Sequence, residues 1–170
     1  MKSYFAHCRT AEELKAEYKR LALQYHPDVT GDAATEPIMQ QINAQYDDAW
    51  PRLKDRHEST HEETAGQVYT ASQSTAETPE EFRAVIIAVL QMQGVTLELC
   101  GRWLWITGNT RPYAEMLKAL GCRWSPKKLA WNWHTAQDFS FGRGHWSLDK
   151  IRNAYGSARI VENEQQAITA

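Results

Sequence analysis

Three groupings of side chains in this 170-residue sequence could do chemistry, each of a different kind. His26-Pro27-Asp28 sets an imidazole and a carboxylate on either side of a proline, so one stiff turn could offer both to a metal, a substrate or a partner. His57-Glu58-Ser59-Thr60-His61 satisfies H-E-x-x-H, which on a helix puts two imidazoles on one face for zinc, with the glutamate as general base. Six of the seven tryptophans fall between residues 103 and 146, among Arg102, Arg111, Arg123, Lys127, Lys128 and Arg143. Aromatic faces stack bases and cations follow phosphates, which is how single-stranded nucleic acid is held without sequence preference.

Each grouping has a plainer explanation. Zinc-peptidase helices lie in apolar sequence that buries and dries the metal, whereas the flanks here are LKDR and EETAGQ. No third ligand follows in a structured context, so His57, Glu58 and His61 are set aside and no metal is assigned. Trp103 with Trp105, and Trp131 with Trp133, alternate as on strands, and a small domain fills its core with such rings. The individual tryptophans are therefore read first as core. Trp103, Trp131 and the six cations are kept as candidate nucleic-acid contacts because the charge is so unevenly divided. Residues 1–100 carry 9 Lys and Arg against 16 Asp and Glu, while residues 101–160 carry 10 against 3.

The elements that would position these groups can be read from periodicity. Thr10 and Glu13 are spaced as a helix-capping pair, and Leu14, Tyr18, Leu21 and Tyr25 form one helical stripe that ends before Pro27. Lys15, Lys19 and Arg20 lie off that stripe. Thr30-Gly31-Asp32 is turn chemistry, and a second helix begins near Pro37 with Met39, Ile42, Tyr46 and Leu53 at helical spacing. Tyr4 and Phe5 close the end of this pair. Residues 55–79 are rich in Ser, Thr, Gln and Glu and read as a flexible linker. Thr78-Pro79-Glu80-Glu81 starts another helix, which stops at Gly94. Two short strands around Gly101-Arg102, a short helix ended by Gly121, and a strand pair across Ser125-Pro126-Lys127-Lys128 come next. SLDKIRNAY adds a final helix. The expected fold is α+β: an all-α hairpin at 1–54, a linker at 55–79, a helix–hairpin–helix–hairpin domain at 80–160 and a loose tail at 161–170.

Composition narrows the class. Hydrophobic residues make up 42% and charged residues 24%, as in ordinary globular proteins. The longest apolar run, AVIIAVL at 84–90, is too short to span a bilayer, so a cytoplasmic protein without a membrane partner is expected. Cys8, Cys100 and Cys122 are odd in number and scattered, which argues for buried free thiols over disulfides or structural zinc.

LKAEYKRLALQYHPDVTGD followed by MQQINAQYDDAW resembles the J domain of DnaJ-like co-chaperones over residues 3–54. That family has a basic helix, an HPD loop and a following helix with I-N-x-x-Y, here Ile42-Asn43-Ala44-Gln45-Tyr46. The resemblance implies an adaptor and not an enzyme, which needs no cofactor and stimulates ATP hydrolysis by a DnaK-type heat-shock chaperone. His26, Pro27 and Asp28 would be the activating loop, and Lys15, Lys19 and Arg20 the cationic face that meets an acidic patch of the chaperone. The sequence departs from the family in a very short first helix, a missing fourth helix, and the lack of glycine/phenylalanine-rich and cysteine-rich regions. ITGNTRPYAEMLKALGCRWSPKKLAWNW resembles a small tryptophan-rich module of bacterial and phage proteins and is faintly similar to the HARP repeat of annealing helicases, which makes nucleic acid a candidate target of the C-terminal domain. The rival reading is a nucleic-acid-binding protein in which the helical hairpin is only scaffold.

Overall fold

Thr10 opens the first helix as its spacing from Glu13 predicts. Its hydroxyl accepts the Glu13 N–H at 3.2 Å, while the Glu13 carboxylate reaches one residue further back, to the Arg9 N–H at 2.5 Å. The computed structural model describes residues 3–59, 65–71, 74–75, 77–100, 103–134, 146–155 and 158–160. Residues 4–7 form bends and turns, so the short first helix expected from the sequence is reduced to a turn. Tyr4 and Phe5 are nonetheless buried in the core.

Helix α1 (Ala11–Tyr25) leads into the single turn α2 (Pro27–Thr30), and α3 (Glu36–Leu53) packs against α1. The expected apolar stripes meet here. Leu14, Tyr18 and Leu21 of α1 and Met39, Ile42, Tyr46 and Leu53 of α3 are all buried. The I-N-x-x-Y pattern acquires a physical meaning: Ile42 and Tyr46 fill the interface, and the Asn43 Oδ1 accepts the Tyr18 hydroxyl at 2.9 Å.

Residues 55–79 hold more structure than their composition suggests. Strands β1 (Arg56–Glu58) and β2 (Val68–Thr70) pair antiparallel, with His57 opposite Tyr69. The Asp55 carboxylate accepts the Ser74 hydroxyl at 2.7 Å and the Thr75 N–H at 2.9 Å. Short polar side chains organise this backbone by hydrogen bonding, a contribution that apolar content does not register.

Helix α4 (Pro79–Leu90) begins with a reciprocal capping box between Thr78 and Glu81. Its Phe82 enters the helical core, with its ring centroid 6.1 Å from Tyr18 and 6.0 Å from Tyr46. Burying such a ring contributes roughly 2 kcal/mol. One apolar cluster consequently runs from Leu14 through Phe82 to Trp133.

The remaining strands, β3 (Val95–Cys100), β4 (Trp103–Gly108), β5 (Arg123–Ser125), β6 (Ala130–Trp133) and β7 (Ala158–Ile160), form one antiparallel sheet in the order β5-β6-β4-β3-β7. The helix–hairpin–helix–hairpin order matches the expectation from the sequence, with α5 (Ala114–Ala119) between the hairpins. Strand β7 was not legible in the sequence. Leu97, Leu99, Leu104, Ile106, Trp131 and Trp133 join the main core. Cys100, Trp105 and Ala130 form a second cluster, against which Trp103 and Leu148 and Ile151 of α6 (Leu148–Tyr155) pack. Both faces of the sheet are therefore covered. All three cysteines are buried and free, as expected.

Candidate functional site

Pro27 cannot continue α1, and the chain resolves this in one residue. His26 ends α1, its N–H still bonded to the Ala22 carbonyl at 2.9 Å, and its own carbonyl accepts from Val29 and Thr30 of α2. The His26 Nδ1 accepts the Asp28 N–H at 3.1 Å, so the imidazole caps the short helix. That bond places the ring proton of the neutral imidazole on Nε2. Gly31 closes the turn at φ 74°, a left-handed conformation that glycine adopts without a Cβ penalty. Thr30 and Asp32 brace the next few residues: Thr30 Oγ1 accepts the Asp32 N–H at 3.2 Å, and Asp32 Oδ1 accepts the Ala34 N–H at 2.9 Å. Val29 packs on the core and anchors the turn from below. His26 and Pro27 are half-buried and Asp28 is exposed. The three residues thus form a stiff, solvent-facing tip.

The cationic residues flanking the tip are not so placed. Arg20 is exposed and bonded to Glu17 through Nε at 2.9 Å and through Nη2. Lys15, by contrast, is buried, with Nζ 2.6 Å from Glu77 Oε2 and lying 5.0 Å from the Phe82 ring centre and 5.5 Å from that of Trp50. The Trp50 indole N–H donates to the Glu77 carbonyl at 3.2 Å and completes the enclosure. Lys19 is 1% exposed. Burial drives its pKa down to about 7, against an upward pull from Glu98 and Cys100 of β3. The expectation of a solvent-facing Lys15–Lys19–Arg20 surface is corrected on this point, because two of the three cations are enclosed.

Glu77, Phe82 and Glu98 were missed as partners of α1. One signal was available, the apolar helix 79–90, too hydrophobic to stand alone. The specific pairing of Lys15 with a glutamate 62 residues away has no local signature.

The other candidates disperse. His57 and Glu58 lie on β1, where successive side chains take opposite faces: His57 is buried and Glu58 exposed. The strand lacks the helical i, i+4 face that a zinc peptidase requires, and His61 lies outside the described residues. Instead His57 Nδ1 sits 2.6 Å from Glu12 Oε1 and ties β1 to α1. Trp131 is buried in the main core, and Trp103 stacks on His134 at 4.0 Å and on Trp105 at 5.8 Å. Arg111, Arg123 and Lys127 are exposed, and Lys128 lies half-buried over the Trp105 ring at 5.6 Å. Arg102 and Arg143 lie outside the described residues. Among the described tryptophans of this region the exposed one is Trp124, 45% exposed on the edge strand β5.

Residues 6–57 match the DnaJ domain family, and the N-terminal helices form a J domain. Over 39 residues the chain is 54% identical to the "Chaperone protein DnaJ" of Acidiphilium cryptum (strain JF-5). That match covers 22% of this chain and 10% of the relative. No solved structure gives a significant match. The family match ends at residue 57, and the HARP-like resemblance further on gains no support from it. Among the described residues, no helix is long and apolar enough to cross a membrane.

Proposed function

We propose that this chain is a co-chaperone, which uses its J domain to recruit a DnaK-type chaperone in the cytoplasm and to stimulate the partner's ATPase. The observation that carries this reading is the braced, accessible His26-Pro27-Asp28 tip within a segment matching the DnaJ domain. Such a tip has little conformational freedom left to lose on docking. The exposed Asp28 carboxylate can receive charge-assisted hydrogen bonds from an arginine of the partner. The hydrolytic chemistry belongs to the chaperone, so no residue here carries a catalytic role. Residues 1–54 act on the chaperone, and residues 80–160 determine where that action is delivered.

His26→Gln tests this reading. It removes the imidazole from an exposed turn and should reduce chaperone ATPase to its unstimulated rate, with circular dichroism unchanged. Stimulation equal to the unsubstituted chain would overturn the reading.

One observation favours nucleic acid as the target of residues 80–160. Trp124 is the exposed ring on the sheet edge, with Arg123 beside it and Lys127 in the adjoining turn. The cationic contacts proposed there are Arg123, Lys127, Lys128 and Arg111, with Trp124 replacing the half-buried Trp103 and the buried Trp131 as the stacking surface. Binding of labelled single-stranded DNA or RNA should weaken with salt and with Trp124→Ala. Absent or salt-independent binding would remove the idea.

A further inference from the structure

The exposed surface beside the tip has the wrong sign for its expected partner. On α1, Lys15 and Lys19 are one helical turn apart and both are enclosed. Outside that stripe the helix presents Glu13, Glu17 and Arg20, with Arg20 already bonded to Glu17, while the Glu12 carboxylate is taken up by His57. A partner surface that seeks cations therefore meets a mainly acidic helix. Lys15 is enclosed by Trp50 of the same domain together with Glu77 and Phe82, and the groups acting electrostatically on Lys19 include Glu98 and Cys100. Glu77, Phe82, Glu98 and Cys100 lie beyond the segment that matches the DnaJ domain.

Enclosing two lysines is a costly way to build a core. Apolar residues of similar volume are as stable as a buried ion pair or more so, so such a pair is weak evidence of a stabilising role. Its better-attested use is to specify one of two arrangements. Here the carboxylate of Glu77 stands where an acidic surface of a partner would stand, and the Trp50 and Phe82 rings complete a receptacle for the Lys15 ammonium.

We infer that residues 77–100 mask the cationic face of α1, and that a DnaK-type chaperone must displace them before that face can dock. The inference rests on the co-chaperone reading. The tip remains free for first contact while the flank is closed, and docking is weakened by the fraction of molecules that are open. With about one molecule in ten open, apparent affinity falls about tenfold.

The test measures single-turnover ATPase of a DnaK-type chaperone with the full chain. Glu77→Lys sets a second ammonium against Lys15 and should open the mask, raising stimulation at limiting concentration about tenfold. Adding His26→Gln to that variant should return the rate to the unstimulated level. Full stimulation by the unsubstituted chain, unchanged by Glu77→Lys and lost with His26→Gln, would overturn masking and keep the co-chaperone reading. No stimulation by the unsubstituted chain or by a folded Glu77→Lys variant would overturn both.

Should Glu77→Lys fail to fold, lysine acylation of the unsubstituted chain read by mass spectrometry decides. Lys15 and Lys19 should react far more slowly than the exposed Lys118, and should become reactive or newly protected by the partner's surface only as chaperone and ATP are added in a pulse. Reaction at the Lys118 rate in the free chain would overturn masking. So would stimulation by a chain whose Lys15 and Lys19 labelling never changes.

Discussion

Lys19 gives the J domain a pH-dependent stability at the level of one residue. The unfolded chain keeps this proton up to the ordinary lysine value of 10.5, whereas the folded chain releases it near 7 because the ammonium is buried. Over that range unfolding takes up a proton, so stability rises with pH; below 7 both states are protonated and the contribution is constant. Among the described residues, the charged and titratable groups acting on Lys19 include Glu98 and Cys100, and Glu98 is itself held by Arg152 of α6 through Nε at 2.7 Å and Nη2 at 2.8 Å. The Cys100 thiol is pushed up to about 12 by burial, so above the ordinary thiol value of 9.0 it acts in the opposite direction. Urea denaturation should therefore give higher stability at pH 9 than at pH 7, with a slope of at most roughly 1.4 kcal/mol per pH unit. Lys19→Met should flatten that slope and raise stability at pH 7; an unaltered slope would show that another group titrates. At this scale His26, Pro27 and Asp28 were legible in the sequence, because proline dictates a helix end wherever it stands. Lys15 and Lys19 were misplaced, because a lysine is ordinarily exposed and only long-range packing can enclose it.

Among the elements, α4 and the β3–β4 hairpin make the most direct demands on single residues. Thr78→Ala removes the hydroxyl that accepts the Glu81 N–H and should cost about 1 kcal/mol, measured by chemical denaturation. Gly108 has φ 87°, and a Cβ there would come 2.4 Å from the Gly94 carbonyl oxygen, across the Val95–Gly108 pairing. Gly108→Ala should cost at least ~2 kcal/mol, since both the left-handed backbone and the overlap oppose it. Gly31→Ala meets no atom within 4 Å and should cost only the smaller conformational penalty, which the same denaturation series can resolve. Helix starts, the Gly121 stop and strand alternation were legible, because caps and periodicity are local, whereas α4 ends at Leu90, short of the expected stop at Gly94. Strand β7 was not, because its assignment rests on pairing with β3, far earlier in the chain.

For the whole molecule, the decisive feature is the core that joins the J domain to the sheet. Phe82 contacts Tyr18 and Tyr46 on one side and lies 6.5 Å from Trp133 on the other. Six of the seven tryptophans lie beyond residue 100, while the longest helices, α1 and α3, lie before residue 54. Tryptophan fluorescence and far-UV circular dichroism thus report chiefly on opposite halves, and a shared core predicts coincident urea midpoints; two separated transitions would mean that the halves unfold independently. The charge imbalance between residues 1–100 and 101–160 is met in part by Glu98 of β3, whose carboxylate pairs with Arg152 of α6 at 2.7 Å. By itself the sequence determined the helical hairpin, its rigid tip and the order of the elements from α4 to α6, because capping, proline geometry and hydrophobic periodicity act within a few residues. Only the tertiary structure decided which surfaces stay open. Enclosure of Lys15 and Lys19 depends on which distant segments come to lie against α1, and no spacing along the chain encodes that.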